Sequence, residues 1–250
     1  MTHPFFTPTS PRVFAHRGLV AAGDEHAPNT FAAFAAAHAE GVEYIESDCH
    51  LTADGEVVLF HDDTLASITG DPRRVDQVTA HEMERQLADR GGLVTLEQAF
   101  DAFPRMRFNI DVKANDAAGP AGRIIGRYAE RALVTSFSDA RRLTALRAAA
   151  PARPATSAGR ATIIRLLLAA AIRAETWASR LLAEIDALQI PERQGPVRVL
   201  TRRLIDYAHT AGTEVHVWTV NDTDRMRLLI GRGVDGIVTD RSDAALRTLG

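Results

Sequence analysis

The sequence has a single cysteine, Cys49, and so lacks the partner an internal disulfide would need. It also lacks any excess of positive charge: 29 lysines and arginines stand against 32 aspartates and glutamates, for a net charge of −3 with nine neutral histidines. No basic tail or dense basic face appears, which excludes a general polyanion binder and argues against nucleic acid as a partner. Residues 1–12 do not show the basic, then apolar, then small-residue order of a secretion signal, and with the lone cysteine this predicts a cytoplasmic protein. No apolar run is long enough to span a bilayer. The most apolar stretch, residues 161–172, contains Arg165 and falls well short of the ~20 residues required. With Trp177, Leu181 and Leu182 following, it reads as an amphipathic outer helix facing the core, peripheral lipid contact being the other reading. No Gly/Ser-rich or Pro-rich linker offers a second domain a place to start, so residues 1–250 read as a single domain.

What is present is an alternation. Short β-rich runs at residues 13–16, 43–51, 56–61, 107–113, 132–136, 155–157, 185–189, 214–219 and 236–239 are separated by Ala/Leu/Arg-rich stretches. Helices are predicted at 30–40, 96–103, 122–131, 139–149, 201–210, 222–232 and 242–249. Strands alternating with helices indicate an α/β protein with a parallel sheet, and 250 residues match the size of one (β/α)₈ barrel. Residues 62–94 hold charged and turn-forming residues with little strand character and read as an excursion over one end of the barrel. A faint echo relates Glu40 to Asp48 and Arg232 to Asp240: each segment reads as a helix end, a glycine cap, a strand and a terminal aspartate.

Chemistry gathers at the strand ends, where a parallel barrel places its site. Strand side chains alternate faces, so Glu46 and Asp48 project together while Ser47 and Cys49 point the other way. Two close carboxylates oppose each other's ionisation unless a cation sits between them, so an inward pair calls for a hard divalent ion; the alternative is an exposed polar edge. Asn109, Asp111 and Lys113 share one face of a strand whose alternate residues are apolar, which supplies a third carboxylate. Lys113 has two readings, against a phosphate or paired with a carboxylate. His16 and His61 each end an apolar run, and imidazole titrates near neutrality, so the pair suits proton transfer to and from a phosphodiester as well as structural hydrogen bonding.

The ordered set Ala15-His-Arg-Gly18, Pro28-Asn-Thr30, Glu46-x-Asp48, Leu51-Thr-x-Asp-Gly55, His61-Asp62, Ile110-Asp-Val-Lys113, Ser136-Phe137, Val217-Trp-Thr-Val-Asn221 and Gly233-Val-Asp-Gly-Ile-Val-Thr-Asp240 resembles the glycerophosphodiester phosphodiesterase family. The resemblance implies a somewhat distorted TIM barrel that cleaves glycerophosphodiesters to glycerol 3-phosphate and an alcohol. It further implies His16 and His61 as general base and acid, and Glu46, Asp48 and Asp111 around one divalent cation, Mg²⁺ or Ca²⁺. Arg17 and Lys113 would hold phosphate oxygens, and Trp218 would line the pocket. Two departures stand out: the family's Pro-Glu-Asn-Thr lacks its glutamate here, with Glu25 upstream, and the third metal position is aspartate where glutamate is common. They keep two alternatives open, a related barrel phosphodiesterase or phospholipase D-like lyase acting on intact lipid, and a non-catalytic glycerol phosphate-binding protein.

Overall fold

The computed structural model describes residues 3–7 and 11–250; residues 1, 2 and 8–10 of the leading segment lie outside the described residues. Strand β1 (Arg12–His16) is followed by α1 (Phe31–Ala39), β2 (Tyr44–Leu51), β3 (Val57–Leu59), α2 (Ala66–Thr69), α3 (Ala80–Leu87), α4 (Leu96–Ala102) and β4 (Arg107–Val112). Then come α5 (Ala118–Arg127), β5 (Ala132–Thr135), α6 (Asp139–Ala149), β6 (Ala155–Thr156), α7 (Arg160–Ala171), α8 (Glu175–Leu182) and β7 (Ala187–Ile190). A small hairpin, β8 (Arg193–Gln194) and β9 (Val197–Arg198), precedes α9 (Arg202–Thr210), β10 (Glu214–Val217), α10 (Thr223–Gly231), β11 (Gly236–Thr239) and α11 (Ser242–Leu249).

Eight parallel strands lie in the order β6-β5-β4-β2-β1-β11-β10-β7. The two ends of this row meet through one parallel bridge between Ser157 and Ala187. Ala158 N–H donates to the Ala187 carbonyl at 3.1 Å and Asp186 N–H to the Thr156 carbonyl at 2.9 Å. The sheet is therefore a (β/α)₈ barrel, distorted by a seam at the two-residue β6. The run at 56–61 is not a barrel strand. It turns at Asp54-Gly55, where Gly55 takes φ 85°, and β3 pairs antiparallel with β2 outside the ring.

Two aliphatic layers lie between strands and helices, one around Phe34, Ile45, Phe100 and Phe108, the other around Leu166, Leu188, Leu204 and Leu229. Residues 62–94 contain α2 and α3 and pack around Phe60, Leu65, Val75, Val78 and Met83. Thr79 and Glu82 form a capping box that starts α3. The segment read as one amphipathic helix is instead two, α7 and α8, parted at Arg173, which takes φ 59°. Among the described residues no helix is long and apolar enough to cross a membrane.

A 3-10 turn, Pro4–Phe6, places Phe5 and Phe6 against Phe14, Tyr44 and Leu133 inside the barrel, at the end away from the strand C-termini. The Arg12 guanidinium fastens this plug, donating to the Phe6 carbonyl at 2.7 Å and to both Glu214 oxygens at 2.8 and 2.7 Å. Burial alone would raise the Glu214 carboxyl, but hydrogen bonds from His216 and Arg12 outweigh it and bring it from 4.5 to about 2. A depressed folded-state value stabilises fully above the unfolded value and is lost as pH falls through the folded one. Glu214→Gln is therefore expected to cost up to about 3 kcal/mol at neutral pH. Denaturant titrations should show the gap to the parent closing as pH falls from 4.5 toward about 2; a gap independent of pH would locate the loss in packing.

Candidate active site

His16 ends β1, and the two residues after it, Arg17 and Gly18, have φ of 60° and 88°. That turn directs the chain under the start of α1, where a Cβ on Gly18 would lie 2.7 Å from the Ala33 carbonyl carbon, so only glycine fits. Arg17 N–H donates to the Glu46 carbonyl at 2.7 Å, and Asn29 N–H donates to the Arg17 carbonyl at 2.8 Å. Thr30 caps α1, its hydroxyl accepting from Ala33 N–H. The loop therefore holds Asn29 buried beside β2, where Nδ2 donates to Asp48 at 3.1 Å and Oδ1 accepts from the Ser47 hydroxyl at 2.7 Å. Glu25 remains exposed and does not line the cleft, so it does not stand in for the missing glutamate.

Strand register assembles the rest. His16 lies opposite Glu46, Glu46 opposite Asn109, and Asp48 opposite Asp111 across β1, β2 and β4. Lys113 Nζ sits between the two aspartates, 2.9 Å from Asp48 and 2.7 Å from Asp111, while Arg17 Nε lies 3.2 Å from Asp48. Lys113 is thus paired with both carboxylates and also lines the cleft, so its two readings are compatible. Burial would lower the Lys113 ammonium, yet Asp111 and Asp48 raise it above the ordinary lysine value. The Glu46 carboxyl is pushed well up by burial and by the charges of Asp48 and Asp111. Burial likewise raises Asp111, against Lys113. Cys49 faces the aliphatic layer, where burial pushes its thiol up and removes it as a nucleophile.

Both imidazoles are held from behind. His16 Nδ1–H donates to Asp240 at 2.6 Å and His61 Nδ1–H to Asp62 at 2.6 Å. The His16 hydrogen bond holds the Asp240 carboxyl below its usual range against burial, and bonds from Ser67 and then His61 do the same for Asp62. Each ring therefore keeps Nε2 free for chemistry; that of His16 lies 3.8 Å from Glu46. Asn221 steadies Asp240, donating to its carboxylate at 2.7 Å. Asp240 and Asp62 both sit in the quoted motifs, but their partnership with the histidines is a contact of the folded chain. The signal for Asp240 was the closed ring, which makes the last strand the neighbour of the first.

These groups line one end of a cleft of about 460 Å³ whose remaining wall is mostly apolar, with Phe137, Ile163, Leu167, Ile190, Val199 and Trp218 alongside Arg160, Gln189 and Gln194. Phe137 and Trp218 meet edge to face, ring centres 6.0 Å apart. All eight residues singled out in the sequence, His16, Arg17, Glu46, Asp48, His61, Asp111, Lys113 and Trp218, line this cleft. Glu46 Oε2, Asp111 Oδ1 and Asn109 Oδ1 are buried without a hydrogen-bond partner. Orphaned hard oxygens of this kind suit a divalent cation whose sphere is completed by water and substrate oxygens. Among the described residues, however, no three carboxylate, imidazole or thiolate groups approach closely enough to enclose an ion by themselves; the Lys113 ammonium occupies the space between two of them.

A parallel barrel with two carboxylate-backed histidines and an acidic cluster gathered at the strand C-termini has the form of a phosphodiesterase site. Residues 16–244 match the Glycerophosphoryl diester phosphodiesterase family, and the chain belongs to it. Over 232 residues it is 38% identical to a Mycobacterium tuberculosis protein named "Probable glycerophosphodiester phosphodiesterase 2", covering 92% of this chain and 87% of that one. It is 31% identical over 116 residues to human Lysophospholipase D GDPD1, covering 41% of this chain and 36% of the relative. An Oleispira antarctica phosphodiesterase, solved with the product sn-glycerol-3-phosphate, shares the fold at a TM-score of 0.72 and 20% identity, with 95% of this chain and 96% of that one covered. The expectation of a phosphoric diester hydrolase on a distorted TIM barrel is borne out.

Proposed function

We propose that the chain, acting as one barrel unit in the cytoplasm, hydrolyses glycerophosphodiesters to glycerol 3-phosphate and an alcohol with one divalent cation, Mg²⁺ or Ca²⁺. The observation that carries this reading is the opposed pair of imidazoles, each oriented by a carboxylate at 2.6 Å, on the rim of the acidic cluster. His16, with its proton fixed on Nδ1, takes at Nε2 a proton of the attacking water, whose oxygen bonds to phosphorus as the bond to the alcohol oxygen breaks. His61 is the more open of the two, its side chain 38% exposed against 20% for His16, and it protonates the departing alkoxide. Arg17 and Lys113 hold the phosphate oxygens. Glu46, Asp48 and Asp111 would hold the cation, which supplies charge compensation and polarises a phosphoryl oxygen. Trp218 and Phe137 shape the space beside the leaving group.

A second reading has a specific basis. Most of the cleft wall is apolar, more than a choline or ethanolamine needs, and the human relative is named a lysophospholipase D. The same bond would then be cut in a lysophospholipid whose acyl chain lies along Ile163, Leu167 and Val199.

The deciding assay follows glycerol 3-phosphate release from glycerophosphocholine and glycerophosphoethanolamine by metal-stripped protein, with Mg²⁺, Ca²⁺, Mn²⁺ or Zn²⁺ returned singly. Mg²⁺ or Ca²⁺ is expected to restore turnover. Silence with every metal, together with cleavage of lysophosphatidylcholine, would transfer the assignment to the second reading.

A further inference from the structure

Helix α7 is apolar on every side, with Arg160 and Arg165 as its only charged residues. Leu166, Ala169 and Ala170 bury one face in the core. On the opposite face Ile164, Leu168 and Ile172, spaced by four residues, are 48%, 54% and 70% exposed. The helical period places these three in one row with Ala161 and Ala171 beside them. Trp177, 36% exposed at the start of α8, extends the apolar surface. A helix apolar all round is ordinarily buried all round. Here the outward row is in water, and it is continuous with the cleft, because Ile163, Ile164 and Leu167 line the cleft wall.

Charge decides what covers it. Residues 160–184 carry four arginines, Arg160, Arg165, Arg173 and Arg180, and two glutamates, in a chain whose net charge is −3. All four arginines are exposed, and none has a carboxylate within ion-pair distance among the described residues, so their charge is available to a partner. Arg160 and Arg165 flank the apolar row on its two sides, and Arg173 and Arg180 stand beyond its end. A second copy of the chain would bring two such unpaired sets together, like charge against like. An apolar row edged by free arginines and an interfacial tryptophan matches an anionic bilayer, which offers hydrocarbon and phosphate at adjoining depths.

We infer that the outer face of α7, with the start of α8, docks on an anionic lipid surface. Leu168 and Ile172 enter the acyl boundary, the arginines meet lipid phosphates, and the cleft mouth opens at the membrane.

The test is co-sedimentation of the full chain with vesicles of phosphatidylcholine alone and of phosphatidylcholine with one-third phosphatidylglycerol. Binding is expected only to the anionic vesicles and should weaken as salt rises. Leu168→Ser with Ile172→Ser, and separately Arg165→Glu with Arg173→Glu, should each reduce partitioning by more than about tenfold, at about fivefold per arginine removed. None of these four residues lines the cleft, so turnover of a soluble glycerophosphodiester should stay at the parental rate. The vesicle result needs no turnover, and thermal melts verify folding, so it decides docking whatever the substrate proves to be. Failure of the parent to bind anionic vesicles would overturn the inference, as would parental binding by the Leu168/Ile172 variant. A dimer in sedimentation velocity that the same variant converts to monomer would assign the face to a second copy.

Discussion

Replacing His61 with alanine is expected to slow cleavage of a glycerophosphodiester with an alkyl alcohol leaving group by about 10²- to 10⁴-fold. The same replacement should cost far less on an ester with a nitrophenol leaving group. The reason is chemical: an alkoxide leaving group must collect a proton as the P–O bond breaks, whereas a nitrophenolate leaves without one. In the proposed mechanism His61 supplies that proton, backed by Asp62 at 2.6 Å and more open than His16. His16→Ala should slow both esters alike, because activation of the attacking water does not depend on what leaves. With one imidazole working neutral and the other charged, the parent's rate should be bell-shaped in pH, and His61→Ala should remove the limb that falls at high pH on the alkyl ester. Equal losses on both esters would remove His61 from the acid role.

Glu46→Gln is expected to separate stability from activity. Glu46 sits partly buried beside Asp48 and Asp111, its carboxyl raised by burial and by those two charges, with Oε2 unpartnered by protein groups. Removing the charge relieves the repulsion, so the stripped variant should melt about 2–4 °C above the stripped parent, the shift expected for roughly 1 kcal/mol at this chain length. Turnover should fall by at least about 10²-fold and should not return with Mg²⁺, because the proposed ligand and its charge are gone. Added Mg²⁺ should raise the parent's melting temperature and leave the variant's unchanged. An equal Mg²⁺ shift in both proteins would place the ion away from Glu46.

Much of the site was legible because strand alternation and motif order act locally. The Glu46/Asp48 pairing, the opposite facing of Cys49 and the apolar alternation behind Asp111 follow from a period of two. The structure reproduces residues 139–149, 236–239 and 242–249 as read. The echo between the two αβ units holds as well: Gly41 and Gly233 both take positive φ, and β2 and β11 flank β1. What was missed depends on contacts distant in sequence. The Phe5–Phe6 plug is a three-residue turn with no periodicity to display, and its meaning lies in Arg12 and Glu214. The strand at 56–61 has a barrel strand's composition, and only the short Ala53-Asp54-Gly55 turn before it reveals the antiparallel pairing outside the ring. The outward apolar row of α7 looked like a core face because sequence gives the period of a stripe and not which side of the helix meets the sheet.

The barrel's seam divides precision from tolerance. On β1, β2 and β4, where strand pairing is continuous, sit His16 and the acidic cluster, whose forces change steeply with a fraction of an ångström. On the far side, where β6 has two residues and the ring is joined by one bridge, the wall is aliphatic, and its attraction depends on area and hardly on direction. The phosphate end of a substrate is thus gauged against a fixed reference, while the alcohol end meets a surface that adjusts. Apart from Gln189, which accepts from Asn109 at 3.0 Å, the apolar lining within residues 158–199 is free to diversify toward different substrates without disturbing the acidic cluster across the cleft.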